Sequence, residues 1–412
     1  MKVLIAGCGG QGSSAAGQLA KEKDVEQIIC TDMDISRAKR LEDRLKGLKT
    51  GVKVSTEQVD FKKPKDLARA AKGVDVVFNA CFPAVNVPIL KACMEAEAHY
   101  VDVASFPYTA KTIPKEQTMD GLLEFDGQVK TAGLTAITNM GVAPGFTDIA
   151  TQYIAKQLDT VDRVMLRWFD KLDATDLIAT WWAAGIMGEW FDPPHPIAWD
   201  RGKVIELDLL KDAEEYEFPP PVGKGTIYTA TFHPELATIS KFMPEAIGKS
   251  VNYIELKGAH QIGDWTMKDV WIEAIRRAAV KTPVVDKPTN LVELFAKEFI
   301  SPGDFREAYD KGIVKNGSLA GAIELTGTKD GQKIRHTVTG IVTLEIAQKN
   351  IPWSSPMSYI VGMSAAIAIL WLGRGKIKKR GTGCAWWIED PEGFLEECKR
   401  RGVIAYEKIE RF

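Results

Sequence analysis

The tightest constraint on this chain sits at its start, MKVLIAGCGGQGSS. A short apolar run, Val3-Leu4-Ile5-Ala6, leads directly into Gly7, Gly9, Gly10 and Gly12, and 13–21 then has helical character. Ordering a glycine costs backbone entropy, so a cluster implies a steric requirement. A buried strand, a glycine turn and a helix in that order let a phosphate approach the main chain at the positive end of the helix. In the spacing Gly7-x-Gly9-x-x-Gly12, the first glycine permits the tight turn and the second admits a pyrophosphate. The third lets helix and strand pack closely, and Gly10 and Gln11 offer amides at the helix start.

Alone, the pattern is unspecific. Asp32 sharpens it, lying about 20 residues on at the end of a second apolar run, 27–31. A carboxylate there meets the ribose hydroxyls of an adenosine and repels a 2′-phosphate. The expected cofactor is NAD, with NADP possible because Arg37 lies close enough to pair with a phosphate.

The alternation continues. Residues 52–54, 74–79, 99–102 and 135–138 read as strands, and 35–48, 66–71 and 88–96 as helices between them. This predicts an α/β fold, a Rossmann-type doubly wound parallel sheet. Two segments fall at the carboxyl edge, where ligands bind: Asp60-Phe61, beside the adenine, and Asn79-Ala80, on the path to the nicotinamide. Ordinary turn chemistry accounts for either equally well. From about 160 to 346 the pattern favours strands, with period-two alternation clearest over 338–344. We therefore expect a dinucleotide-binding domain over 1–158, completed by 350–412. A second α+β domain over 159–349, on a mixed or antiparallel sheet, would bind substrate and oligomerise.

Composition excludes several classes. A net charge of −2 over 412 residues gives no footprint for nucleic acid. The six cysteines form no CxxC pair, so no metal site is expected and reduced, cytoplasmic thiols are. Met1 leads straight into the first strand, and no secretory signal is expected. The apolar stretch MSYIVGMSAAIAILWLG is short for a bilayer and carries serines and a tyrosine, so it reads as a buried helix and not a membrane span.

Several further segments resemble the saccharopine dehydrogenase-like family. They are HYVDVAS at 99–105, GVAPGFTDIA at 141–150, HPELAT at 233–238, LKGAHQI at 256–262 and GTGCAWWIEDPEGFLEECKRRGV near the end. The resemblance runs loosely over almost the whole chain. It implies chemistry at a carbon–nitrogen bond through an imine, with hydride exchanged with a nicotinamide. Ala143 stands where saccharopine reductases carry an acid, Trp386-Trp387 replaces a Pro-Pro, and Ala259 replaces a glycine before His260. The lysine 6-dehydrogenase type is the nearest branch, and a reductive condensing dehydrogenase for saccharopine or carboxynorspermidine is the alternative. A non-catalytic NAD-binding sensor is the reading from another class.

Amine oxidation needs a neutral nitrogen and a base near the working pH. Asp102, ending the fifth strand, is expected to hold the amine, and His233 to transfer the proton. The bland readings are a cap for the Ser105-Phe106-Pro107 turn and a core histidine paired with Glu235. Pro144, Gly145, Phe146, Thr147 and His260 are the expected substrate-binding residues, with the amides after Pro144 as an anion site and Arg167 and Lys257 as further carboxylate partners. His195 reads as a rigid loop residue. Trp181, Trp182, Trp190 and Trp199 form either an apolar wall or an interface. A small-molecule amine or amino-acid substrate and a homo-oligomer, dimer or larger, are expected.

Overall fold

The computed structural model describes residues 1–106, 114–191, 196–230, 233–281 and 291–412. Pro107 and His195 lie outside the described residues. Two compact units are present: Met1–Tyr153 with Ala237–Gly248 and Tyr359–Arg401, and Ile154–Leu236 with Lys249–Ser358 and Gly402–Phe412. In chain order the strands are β1 (Lys2–Ala6), β2 (Gln27–Asp32), β3 (Lys53–Gln58), β4 (Val76–Asn79), β5 (His99–Asp102), β6 (Thr135–Ile137), β7 (Thr160–Ala174), β8 (Ile197–Asp200), β9 (Lys203–Glu206), β10 (Glu214–Phe218), β11 (Gly223–Thr229), β12 (Tyr253–Ile262), β13 (Val314–Lys329), β14 (Gln332–Thr343), β15 (Gly381–Gly383) and β16 (Ile404–Arg411).

The first unit is built on a parallel seven-stranded sheet in the order β15-β6-β5-β4-β1-β2-β3. The order reverses between β1 and β4, and such a switch point opens a ligand crevice at the carboxyl ends. Val3 to Ala6 are wholly buried because helices cover both faces. Helix α1 (Gly10–Leu19) follows the glycine turn. Helix α2 (Ile35–Gly47) starts where the Asp34 side chain accepts the Ser36 N–H, and it buries Ala38, Leu41 and Leu45 on one stripe. The apolar helix Pro356–Gly373 has no polar face and is 94% buried within the protein.

The second unit carries a mixed nine-stranded sheet, β10-β11-β12-β7-β13-β14-β16, with β8 pairing β12 and β9 pairing β8. The long β7 runs parallel to β12 and antiparallel to β13. Asp330 and Gly331, both at positive φ, turn β13 into β14 as a tight hairpin requires. The chain's last strand departs from expectation. Residues 350–412 were assigned to the dinucleotide unit, but Ile404–Arg411 pairs antiparallel with β14, whose open edge it covers. Conversely, Ala237–Gly248 belongs to the first unit, where Thr238 Oγ1 donates to Asp148 Oδ1 at 2.8 Å.

Candidate active site

The glycine turn is shaped by close approach. Gly7 sits at φ +94°, and a Cβ on Gly12 would lie 1.9 Å from the Gly7 carbonyl oxygen. Gly9 differs, since a Cβ there would meet no atom within 4 Å. Nothing in the protein requires glycine at 9, so the open space is the cradle a pyrophosphate would fill. The first helical hydrogen bond of α1 runs from Ser13 N–H to Gly9 O, so the amides of Gly10, Gln11 and Gly12 precede it and have no acceptor within the helix.

Asp32 ends β2 and is buried. It accepts the Cys8 N–H on Oδ2 at 2.8 Å and the Asp34 N–H on Oδ1 at 2.9 Å. It thus ties the glycine turn to β2, and each oxygen keeps a lone pair for a ribose hydroxyl. Arg37 is exposed and lies 3.8 Å from Asp34. The other edge residues divide. Asp60 is half-buried and accepts the Lys62 N–H, whereas Phe61 packs into the hydrophobic core with Leu67 and Leu90. Ala80 lies against the glycine turn. Asn79 spends its side chain on the protein, with Nδ2 donating to Asn86 Oδ1 and to Tyr100 Oη and Oδ1 accepting the Cys81 N–H.

Asp102, at the end of β5, is 1% exposed. Oδ2 accepts the Tyr100 hydroxyl at 2.8 Å, and Oδ1 accepts the Asn139 N–H at 2.7 Å and the Thr138 hydroxyl at 3.1 Å. This carboxyl therefore fastens the turn after β6. The Ser105 N–H is met by Asn139 Oδ1, not by Asp102. Burial pushes the Asp102 carboxyl up to about 7 against the pull of those hydrogen bonds. A folded value above the unfolded one means stability present below about pH 4 and lost as pH rises through 7. Asp102→Asn keeps the shape, so it is expected to flatten the fall in unfolding free energy over pH 4–7, worth a few kcal/mol. Denaturant unfolding at several pH values measures this, and an unchanged slope refutes it.

At the expected anion site after Pro144, three of the amides have partners within the protein. The Phe146 and Thr147 N–H groups donate to Gly141 O and Val142 O, and Ile149 N–H to Gly145 O. Gly145, at φ +118°, is where the chain turns back on Gly141, and Phe146 and Thr147 are buried.

In the second unit, His233 is held between carboxylates. Its Nδ1 pairs with Glu235 Oε2, and its Nε2 lies 3.7 Å from Glu189 Oε1. Burial favours the neutral ring, but the two glutamates outweigh it and hold His233 up at about 10. A ring protonated at neutral pH can donate a proton but not accept one. Arg167 and Lys257 also find partners, with Arg167 Nε 3.0 Å from Glu214 Oε1 and Lys257 Nζ 3.2 Å from Glu255 Oε1. His260 Nδ1 lies 3.1 Å from Asp170 Oδ2, and its ring meets Trp168 and Trp190 edge-on.

With this geometry in place, likeness to known proteins becomes informative. Residues 3–137 match the saccharopine dehydrogenase NADP binding domain. The chain is 26% identical to a carboxynorspermidine synthase of Vibrio cholerae, over 98% of this chain and 96% of that one. It is 24% identical to a carboxyaminopropylagmatine dehydrogenase of Synechocystis, over 99% and 98%. The fold is that of saccharopine dehydrogenase (L-Glu forming) from Saccharomyces cerevisiae, with TM-score 0.67, 99% coverage of both chains and 14% identity. Over 3–137 the chain is similar to that family's dinucleotide-binding domain, and over its whole length to these relatives.

The class follows: a dehydrogenase dependent on NAD(P). Its sequence concealed the residues that complete the polar clusters. Tyr100 and Asn139 bracket Asp102, Glu189 faces His233 from 44 positions away, and Asp170 faces His260 from 90. Only the Tyr100-x-Asp102 spacing carried a local signal, since alternate residues of an extended strand share a face, whereas His233 lies in the turn that leads into the helix starting at Glu235.

Proposed function

We propose that this chain reductively condenses an amine with the aldehyde of an amino acid, through an imine, to form a carboxylated polyamine. Condensation expels water, and hydride then adds to the imine carbon while a proton completes the secondary amine. The nicotinamide supplies the hydride. Gly9 to Gly12 and Asp32 would hold the dinucleotide, and Asp102 positions the turn after β6.

The observation that carries the reading is the balance of open polar groups. Lysine and an amino-acid aldehyde alike bring one carboxylate, for which Arg167 keeps a buried Nη1 with no hydrogen-bond partner beside its pair with Glu214. In addition, one buried oxygen each of Glu189 and Asp170 has no hydrogen-bond partner. Open buried acceptors call for donors, as a polyamine provides. The names of the two full-length relatives support the same choice over lysine 6-dehydrogenase.

The test follows reduced nicotinamide by absorbance, with a diamine plus an amino-acid aldehyde on one side and L-lysine plus oxidised cofactor on the other. Oxidation of reduced cofactor only when amine and aldehyde are both present is expected, and turnover of lysine alone would restore the other branch. NADH is the preferred reductant in this reading, because Asp32 repels a 2′-phosphate. Asp32→Asn keeps an acceptor for Cys8 but drops the charge. It should lower the NADH-to-NADPH ratio of kcat/KM about tenfold, or roughly 1.4 kcal/mol, and an unmoved ratio would place discrimination elsewhere.

A further inference from the structure

Asp170 on β7 and His260 on β12 are register partners on adjacent parallel strands, so they stand side by side on one face. Both are more than nine-tenths buried. Asp170 Oδ2 accepts the Thr180 hydroxyl at 2.6 Å and faces His260 Nδ1. The other atom of each pair member, Asp170 Oδ1 and His260 Nε2, is buried with no hydrogen-bond partner. Both residues line one cavity, walled also by Ile178, Ile186 and Phe299, with room for about one water-sized group.

The chemistry of the open atoms selects the occupant. In the tautomer that donates Nδ1–H to Asp170 Oδ2, Nε2 presents a lone pair. The carboxylate oxygen is an acceptor as well. Two acceptors around a water-sized space are complemented by a compact group that only donates. Trp168 lies 4.8 Å from the imidazole, a position opened by Gly258, where a Cβ would lie 2.0 Å from the indole.

We propose that this cavity seats a primary ammonium, the far end of a diamine substrate, with Asp170 Oδ1 and His260 Nε2 accepting its hydrogens. This rests on the polyamine reading above and adds to it a determinant of the end group. A monoamine of the same length leaves the cavity unfilled and loses the contact.

The experiment compares propane-1,3-diamine with propylamine as amine substrate in the full-length protein, alongside Asp170→Asn and His260→Gln. The wild type should favour the diamine. Asp170→Asn should raise its KM by about 10- to 100-fold, the range of one charge-assisted contact. The KM for propylamine and the affinity for NADH should stay unchanged. Ile186→Phe, which fills the cavity without removing a polar partner, should act in the same direction should Asp170→Asn not fold. Equal wild-type use of both amines, or variants that shift both alike, would overturn the proposal and leave a cavity holding water. If neither amine is turned over, the functional reading has failed, and binding separates the two ideas through the fluorescence of Trp168 and Trp190. Saturable binding of the diamine that Asp170→Asn weakens would still support the ammonium seat. Identical responses to both amines would remove it.

Discussion

Gly12→Ala is expected to abolish dinucleotide binding and to destabilise the first unit, whereas Gly9→Ala is expected to fold normally and lose affinity alone. The added Cβ at 12 would lie 1.9 Å from Gly7 O, 3.1 Å from Gly7 C and 3.2 Å from Ala80 Cβ. No flexible side-chain end is available to move aside. Gly7 cannot retreat cheaply either, since it is packed against Cys81 Sγ and the Ala80 carbonyl. Overpacking against backbone costs about 3 kcal/mol, the upper part of the usual range. At Gly9 the backbone is at φ −74° and open space surrounds the missing side chain. Alanine there should leave the melting temperature of the cofactor-free protein unchanged or slightly raised, because it restricts the unfolded chain. Its methyl group would stand where the pyrophosphate approaches, so NADH affinity should fall by about 30-fold, or roughly 2 kcal/mol. Thermal melts without cofactor and a fluorescence titration with NADH measure both quantities. Undiminished affinity in Gly9→Ala would mean that the space at 9 is not the phosphate cradle.

What could be read from sequence was local. Strand β1, the glycine turn, α1 and Asp32 follow from short-range patterns, because a buried parallel strand and a capped amphipathic helix declare themselves within a dozen residues. The buried fate of Pro356–Gly373 was legible for the same reason. Pairing between distant strands was not. No residue within β16 announces that it will cover β14, and neither Asp170 nor His260 signals the other across 90 positions. Phe61 shows a subtler limit. Its place after β3 suggested a cofactor contact, but an aromatic ring gains more by burial, and the core beside Leu67 took it. The turn at 138–140 was hidden as well. It depends on Asn139 adopting φ +60°, where its side chain can meet Ser105 while its amide meets Asp102.

His233 gives the second large effect, and its sign is determined by the clamp. Glu235 and Glu189 hold the ring's proton up to about 10, while an unfolded histidine releases it near 6.5. The clamp's contribution to stability is therefore complete below about pH 6.5 and is lost as pH rises through 10. One proton corresponds to about 1.4 kcal/mol per pH unit, so the wild type should lose a few kcal/mol of unfolding free energy over that window. Glu235→Gln removes the nearest charge, lets the ring neutralise and should flatten the slope. At pH 7 it should also cost about 3 kcal/mol, as breaking a buried pair does. His233→Gln should flatten the slope too, and denaturant unfolding from pH 7 to 10 compares all three. A wild-type slope equal to that of His233→Gln would show that the ring is not held protonated. If the slope is as expected, the imidazolium is a fixed donor at working pH. The imine step of the proposed reduction takes up a proton at nitrogen, which an imidazolium can supply.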